Sequence, residues 1–238
     1  MSKRFDGTDK IGEIVSVFPG ASNLFKQYQI DFCCGGNRTL SSALRQMGLN
    51  EETFLAELNE AYEKANQRTN QDTDWRNVSY ADLISHIVNT HHGYLNNELP
   101  ILSQFVTKIL RVHGPNHPEL ASLHRAFHQL KMDLEQHLVS EEEILFPLIL
   151  EYEKTGSVSA LEKALQKIDE LESEHDDAGN LLKEMRKITN QYTLPEGACR
   201  TYTLTFQKLE QLESDMFQHV HLENNIMFPR LREELKNS

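Results

Sequence analysis

The phrase His-x3-Glu-x4-Phe-Pro occurs twice, at His137, Glu141, Phe146 and Pro147 and again at His219, Glu223, Phe228 and Pro229. Imidazole and carboxylate are both metal ligands, and a spacing of four stacks them on one face of a helix, a turn apart. Two such pairs can supply a bridged pair of metal ions inside a helix bundle. Two lone histidines fit the same plan. His92, His137, His175 and His219 are separated by 45, 38 and 44 residues, so first to third spans 83 and second to fourth spans 82. Two copies of a helical hairpin would give this spacing, one helix of each carrying His-x3-Glu and the other a single His.

The elements that must position these groups are helices. Gly and Pro are sparse after residue 40, apolar residues recur at i, i+3 and i+4, and no convincing strand alternation appears. The pattern predicts an all-α chain with four long helices over about 80–112 (interrupted at Pro100), 118–154, 159–192 and 195–235. Short connections make consecutive helices antiparallel, hence an up-down-up-down four-helix bundle. On the second helix the core stripe is Leu123, Phe127, Leu130, Leu134, Leu138, Leu145 and Leu148, with His137 and Glu141 falling on it. The fourth places His219 and Glu223 between Met216 and Ile226. Leu171 and Leu182 flank His175, and Val88, Leu95 and Leu99 flank His92. Each helix therefore breaks its stripe with polar groups at a matching depth. Burying them without partners would cost on the order of several kcal/mol each, a penalty that a metal centre removes. Imidazole and carboxylate without thiolate suit iron, manganese or zinc.

The other histidines are expected to stay off the metals. His91 points about 100° away from His92, and His86 lies nearly two turns earlier; both read as outer-layer or surface groups. His113, His117, His124, His128 and His221 read as non-ligands. Pro100, Pro147 and Pro229 read as kinks or helix stops.

Residues 1–66 read as a small helical domain, 67–78 as a polar linker with Trp75 docking where the next domain starts, and 79–238 as the bundle. In the small domain Asp31-Phe32-Cys33-Cys34-Gly35-Gly36-Asn37 forms a turn, and Thr39 or Ser41 caps the following helix. Adjacent cysteines can pair with each other only through a strained ring, so Cys33 and Cys34 read as thiols that react or bind metal. Cys199, just inside the fourth helix, reads as structural. The formal net charge of −12 argues against a nucleic-acid partner, which needs a basic footprint. No stretch approaches the roughly 18 apolar residues of a membrane span, and the basic N-terminus lacks an apolar segment behind it. The expected setting is the cytoplasm, without a membrane.

The second domain resembles hemerythrin-like bundles with a non-haem di-iron centre. The first is similar to the small domain with Asp-Phe-Cys-Cys-Gly-Gly that precedes such bundles in the iron-sulfur cluster repair proteins, the RIC family. Asp31–Gly36, His137–Pro147, Ser173-Glu174-His175-Asp176 and His219–Arg230 carry the resemblance. It implies two iron ions, with His92, His137, His175 and His219 as terminal ligands and Glu141 and Glu223 as bridges. It further implies a homodimer acting on damaged iron-sulfur proteins, with the thiols of Cys33 and Cys34 exposed for iron transfer, nitrosylation or mixed disulfides.

One departure bears on function. Oxygen-carrying hemerythrins place two histidines four apart on the third helix, whereas the neighbours of His175 here are Leu171 and Gly179. A missing imidazole leaves the iron more open or more easily released. The favoured reading is a di-iron protein that repairs iron-sulfur clusters damaged by oxidative or nitrosative stress, by supplying iron. The rivals are a di-iron reductase of nitric oxide or peroxide drawing electrons from the thiols, and an oxygen-binding sensor module.

Overall fold

The computed structural model describes residues 5–66 and 74–237, so the expected linker falls largely outside the described residues. Among these the chain is helical, with a single isolated bridge between Lys10 and Thr39 and no strand. It packs into two compact units: Met1–Ser79 together with Val220–Asn237, and Tyr80–His219.

The first unit begins with four helices, α1 (Ile11–Val17), α2 (Ala21–Gln27), α3 (Leu40–Met47) and α4 (Glu51–Asn66). Ile11, Ile14, Val15, Leu24, Phe25, Leu40, Leu44, Phe54 and Leu58 form its core, with the rings of Phe25 and Phe54 stacked 5.8 Å apart. Thr39 caps α3, its hydroxyl accepting from the Ser42 amide at 3.4 Å, as the sequence predicts.

The second unit is the up-down-up-down bundle. Its first two helices are each built in two pieces, α5 (Tyr80–Ile87) leading to α6 (Gly93–His113) and α7 (Glu119–Ser140) leading to α8 (Phe146–Thr155). The third is continuous, α9 (Val158–Ile188), and α10 (Arg200–Leu222) starts the fourth. α7 packs against α6 on one side and α9 on the other, while α8 lies against α5 and α9. Most of the apolar stripes identified in sequence line this core, with Leu123, Phe127, Leu171 and Leu212 wholly buried; Val88 and Leu148 are only half-buried, and the neighbouring Ile87 and Ile149 are wholly buried instead.

Three π-helical turns interrupt the rods: Val88–His92, Glu141–Leu145 and Glu223–Met227. The break in the first helix therefore falls at His92, and Pro100 lies inside α6. Pro147 and Pro229 do not stop their helices either. Each sits at the second residue of the α-helix that follows a π turn, α8 and α11 (Phe228–Asn237). Proline lacks an N–H and clashes with the carbonyl four residues back, and a widened turn immediately upstream relieves both defects.

The third helix ends at Ile188, short of the expected Tyr192. Asn190, Gln191 and Tyr192 adopt left-handed φ values of 47°, 63° and 54°, which no helix can continue. The hydroxyl of Thr189 accepts from the Tyr192 amide at 3.1 Å and helps hold this reversal. The fourth helix starts at Arg200, not near Pro195, so Cys199 lies outside it; the thiol is exposed and 3.3 Å from Nε2 of His113. The placement of Cys199 just inside the fourth helix is thereby corrected.

Candidate metal centre

Five of the six proposed ligands meet in the core of the bundle unit. The Nε2 atoms of His92 and His219 face each other at 3.3 Å, and those of His137 and His175 at 3.0 Å. Glu141 lies between the two pairs. Its Oε2 is 3.2 Å from His92 Nε2 and 3.8 Å from His219 Nε2, while its Oε1 is 3.3 Å from His137 Nε2. His92, Glu141 and His219 thus form one group of candidate ligand atoms, and His137, Glu141 and His175 the other, each within 4.8 Å. Glu223 follows His219 by four residues, at the first position of the π turn after α10, and it too is fully buried.

The π turns explain how the helices deliver these groups. His92 closes one such turn, while Glu141 and Glu223 each open one. The sequence pattern shows the ligands but not these turns, because neighbours such as Leu148 and Ile149 are both apolar and hide a one-residue slip of the stripe.

The second nitrogen of two imidazoles is also engaged. His92 Nδ1 lies 2.7 Å from Glu142 Oε1, and His137 Nδ1 lies 2.7 Å from Glu174 Oε2. A carboxylate only accepts, so each Nδ1 carries the proton and each Nε2 presents a bare lone pair to the interior. His137, in turn, holds the Glu174 carboxyl below its usual range, chiefly through this hydrogen bond. His91 is buried, with Nδ1 3.0 Å from Asp215 and its ring stacked on that of His219 at 5.5 Å. It belongs to the layer behind the ligands and not to the surface. Sequence reasoning missed Glu142, Glu174 and Asp215 in these roles. Only adjacency to a ligand marked the first two, and nothing marked Asp215.

The donor set fits a metal pair. Two nitrogens about 2.1 Å from one ion and at right angles to each other lie about 3 Å apart, close to the spacing of both imidazole pairs. Glu141 offers one oxygen to each pair, as a bridging carboxylate must. Its side chain is 0% exposed, and an anion so placed needs a compensating cation.

In the first unit, the cysteine turn is wrapped around Asp31. Oδ1 of Asp31 accepts from the amides of Cys33 and Gly35 at 3.2 and 3.1 Å, and from the Cys33 thiol at 3.2 Å. Cys33 Sγ lies 3.8 Å from Cys34 Sγ, and neither is in a disulfide. Cys33 is 3% exposed, which corrects the expectation of two exposed thiols. The Cys34 contact, burial and Asp31 together push the Cys33 thiol well above its ordinary range, so it stays protonated. Cys34 is the half-buried and more accessible member.

The turn is also held from the C-terminal segment. Asn225 Nδ2 donates to the carbonyls of Phe32 and Cys33 at 3.2 and 3.0 Å and lies 3.3 Å from His221 Nδ1. A methyl group on Gly36 would collide with Asn225 and with the Phe32 carbonyl, which accounts for the second glycine of the motif. His221, off the ligand set as expected, packs its ring against Phe32 at 6.0 Å, and burial pushes its pKa down to about 4.

A helix bundle whose core stripe is broken at one depth by paired imidazoles sharing a carboxylate defines the class of helical metal-binding bundles. Comparison with known proteins narrows the class. Residues 83–231 match the hemerythrin HHE cation binding domain, and residues 7–62 match ScdA_N, a domain of unknown function (DUF542). The chain is 35% identical over 221 residues to the iron-sulfur cluster repair protein ScdA of Staphylococcus haemolyticus (strain JCSC1435), covering 92% of this chain and 95% of that one. It is 37% identical over 220 residues to the iron-sulfur cluster repair protein YtfE of Escherichia coli O8 (strain IAI1), covering 92% and 94%. The chain belongs to the hemerythrin HHE family, among members that carry an ScdA_N domain ahead of the bundle.

Proposed function

We propose that this protein holds two iron ions and supplies iron to iron-sulfur proteins whose clusters have been damaged by oxidative or nitrosative stress. His92 and His219 would serve one ion, His137 and His175 the other, with Glu141 and Glu223 bridging. The observation that carries this reading is Glu141, fully buried and turning one oxygen toward each imidazole pair. The two relatives' names as iron-sulfur cluster repair proteins support it.

The residues suit a store that gives iron up. With one imidazole on the third helix where oxygen carriers have two, the second pair lacks a ligand and its ion is less firmly held. Glu142 and Glu174 fix the orientation of their imidazoles and raise their basicity, so holding depends on carboxylates that solvent can reach. Cys34 would meet the iron or the client protein, and Cys33 would act only after deprotonation. A reducing cytoplasm is the proposed setting, since it keeps such thiols reduced. No helix among the described residues is long and apolar enough to cross a membrane.

The test is metal content and visible spectroscopy of the purified protein. Two irons per chain, with charge-transfer bands of a bridged ferric pair in the air-oxidised protein, are expected; after reduction with dithionite, ferrous iron should pass to an apo iron-sulfur protein. Absence of two bound transition metals would sink the reading.

A further inference from the structure

A cavity of about 370 Å³ opens between α7 and α9. Asp133, Glu174 and Asp177 line it, together with the ligand imidazoles His137 and His175 and the small side chain of Ala178. His92 and His219 are not among its lining residues. The two imidazoles are 3% and 1% exposed, so the cavity ends on groups that are otherwise sealed in the core. Ala178 lies one turn beyond His175, on the stretch of the third helix that carries no second imidazole.

The chemistry of the walls selects the traveller. Three carboxylates line the cavity and no lysine or arginine does. Lys167, which also acts on Glu174, is engaged by Glu170 at 2.7 Å. A cleft of one charge sign concentrates ions of the other. Its volume has room for a hydrated divalent ion, whose waters the carboxylates can replace in steps on the way in.

We infer that this cleft is the passage by which ferrous iron enters and leaves, and that only the ion at His137 and His175 exchanges through it. The ion at His92 and His219, neither of which lines this cleft, does not use the passage and is retained. The inference rests on the di-iron reading and makes the two sites unequal: one carries cargo, the other stays. Iron stays ferrous throughout, exchanging waters for carboxylate and imidazole ligands on entry and regaining them on exit, so no electron changes hands.

The experiment uses the full chain loaded anaerobically with ferrous iron. Stoichiometry is measured first, so failure of the di-iron reading shows there as fewer than two irons and is distinct from failure of the passage. Release to excess ferrozine is then followed in time, at chelator concentrations where the rate no longer depends on chelator. Two phases of one iron each are expected. In Asp133→Lys/Asp177→Lys the fast phase should slow about tenfold and the slow phase should stay unchanged. Uptake of the first-released iron should slow likewise. Ala178→Leu, which narrows the cleft without changing charge, should slow the same phase; thermal melting shows whether each variant is folded. Release of both irons in a single phase, or a fast phase indifferent to the charge reversal in a folded variant, would overturn the passage.

Discussion

The side-chain amide of Asn225 donates to the main-chain carbonyl of Cys33 at 3.0 Å, across 192 residues of sequence. With its second bond to Phe32 it fastens the thiol turn to the segment that begins with Glu223. Replacing Asn225 by Ala leaves two partly buried carbonyls without that donor. A loss of about 1–2 kcal/mol is expected, read as a lower Tm. Cys33, now less well enclosed, should be alkylated faster by iodoacetamide. Unchanged labelling in a folded Asn225→Ala variant would show that the bond does not control the turn.

Glu142 and Glu174 each accept from an imidazole Nδ1 at 2.7 Å. Glu142→Gln or Glu174→Gln removes the charge that fixes tautomer and ring. Such losses typically weaken metal affinity by about 10- to 100-fold. Competition titration against a chelator measures this. Both carboxylates are about half exposed, so the metal-free proteins should melt at nearly the wild-type temperature.

Glu141 and Glu223 are fully buried, and their effect on stability should depend on the metal. In Glu141→Leu/Glu223→Leu, binding of two irons should be abolished. The metal-free protein should nevertheless melt higher than metal-free wild type, because two buried carboxylates give way to apolar side chains. Iron content and paired melting curves check both statements. Two irons still bound per chain would contradict the ligand assignment.

Acid should empty the centre. Protons compete with metal for imidazole and carboxylate, so affinity falls as pH falls. Dialysis at stepped pH followed by iron assay gives the profile. Retention of both irons at about pH 4 would argue against histidine ligation.

Much of this centre is legible in the sequence because a metal ligand in a helical core breaks an apolar stripe. His92, His137, Glu141, His175 and His219 each stand where a Leu would otherwise sit, and the repeat distance links them. The helical class and the bundle follow from the same periodicity. What stays hidden depends on long-range contact. Asp215 and Asn225 look like ordinary polar residues until the chain folds. Cys33 and Cys34 are neighbours of the same type, and only the enclosure by Asp31 and Asn225 makes one buried and the other reachable. Cys199 falls outside the fourth helix because the turn after Pro195, with a left-handed φ of 77° at Gly197, delays the start of that helix to Arg200.

The three π turns carry a consequence for how the chain tolerates change. Each lets a single rod hold two phases, one before the turn that aims a ligand inward and one after it that returns Phe146 or Phe228 to the core. Deleting one residue other than the glutamate within Glu141–Leu145 or Glu223–Met227 would remove the extra residue and leave an ordinary helix, with the segment downstream nearly in register but the turn that carries the glutamate reshaped. Such a deletion could spare every ligand and the outer packing and still misdirect the carboxylate, so in these turns the count of residues matters as much as their identity.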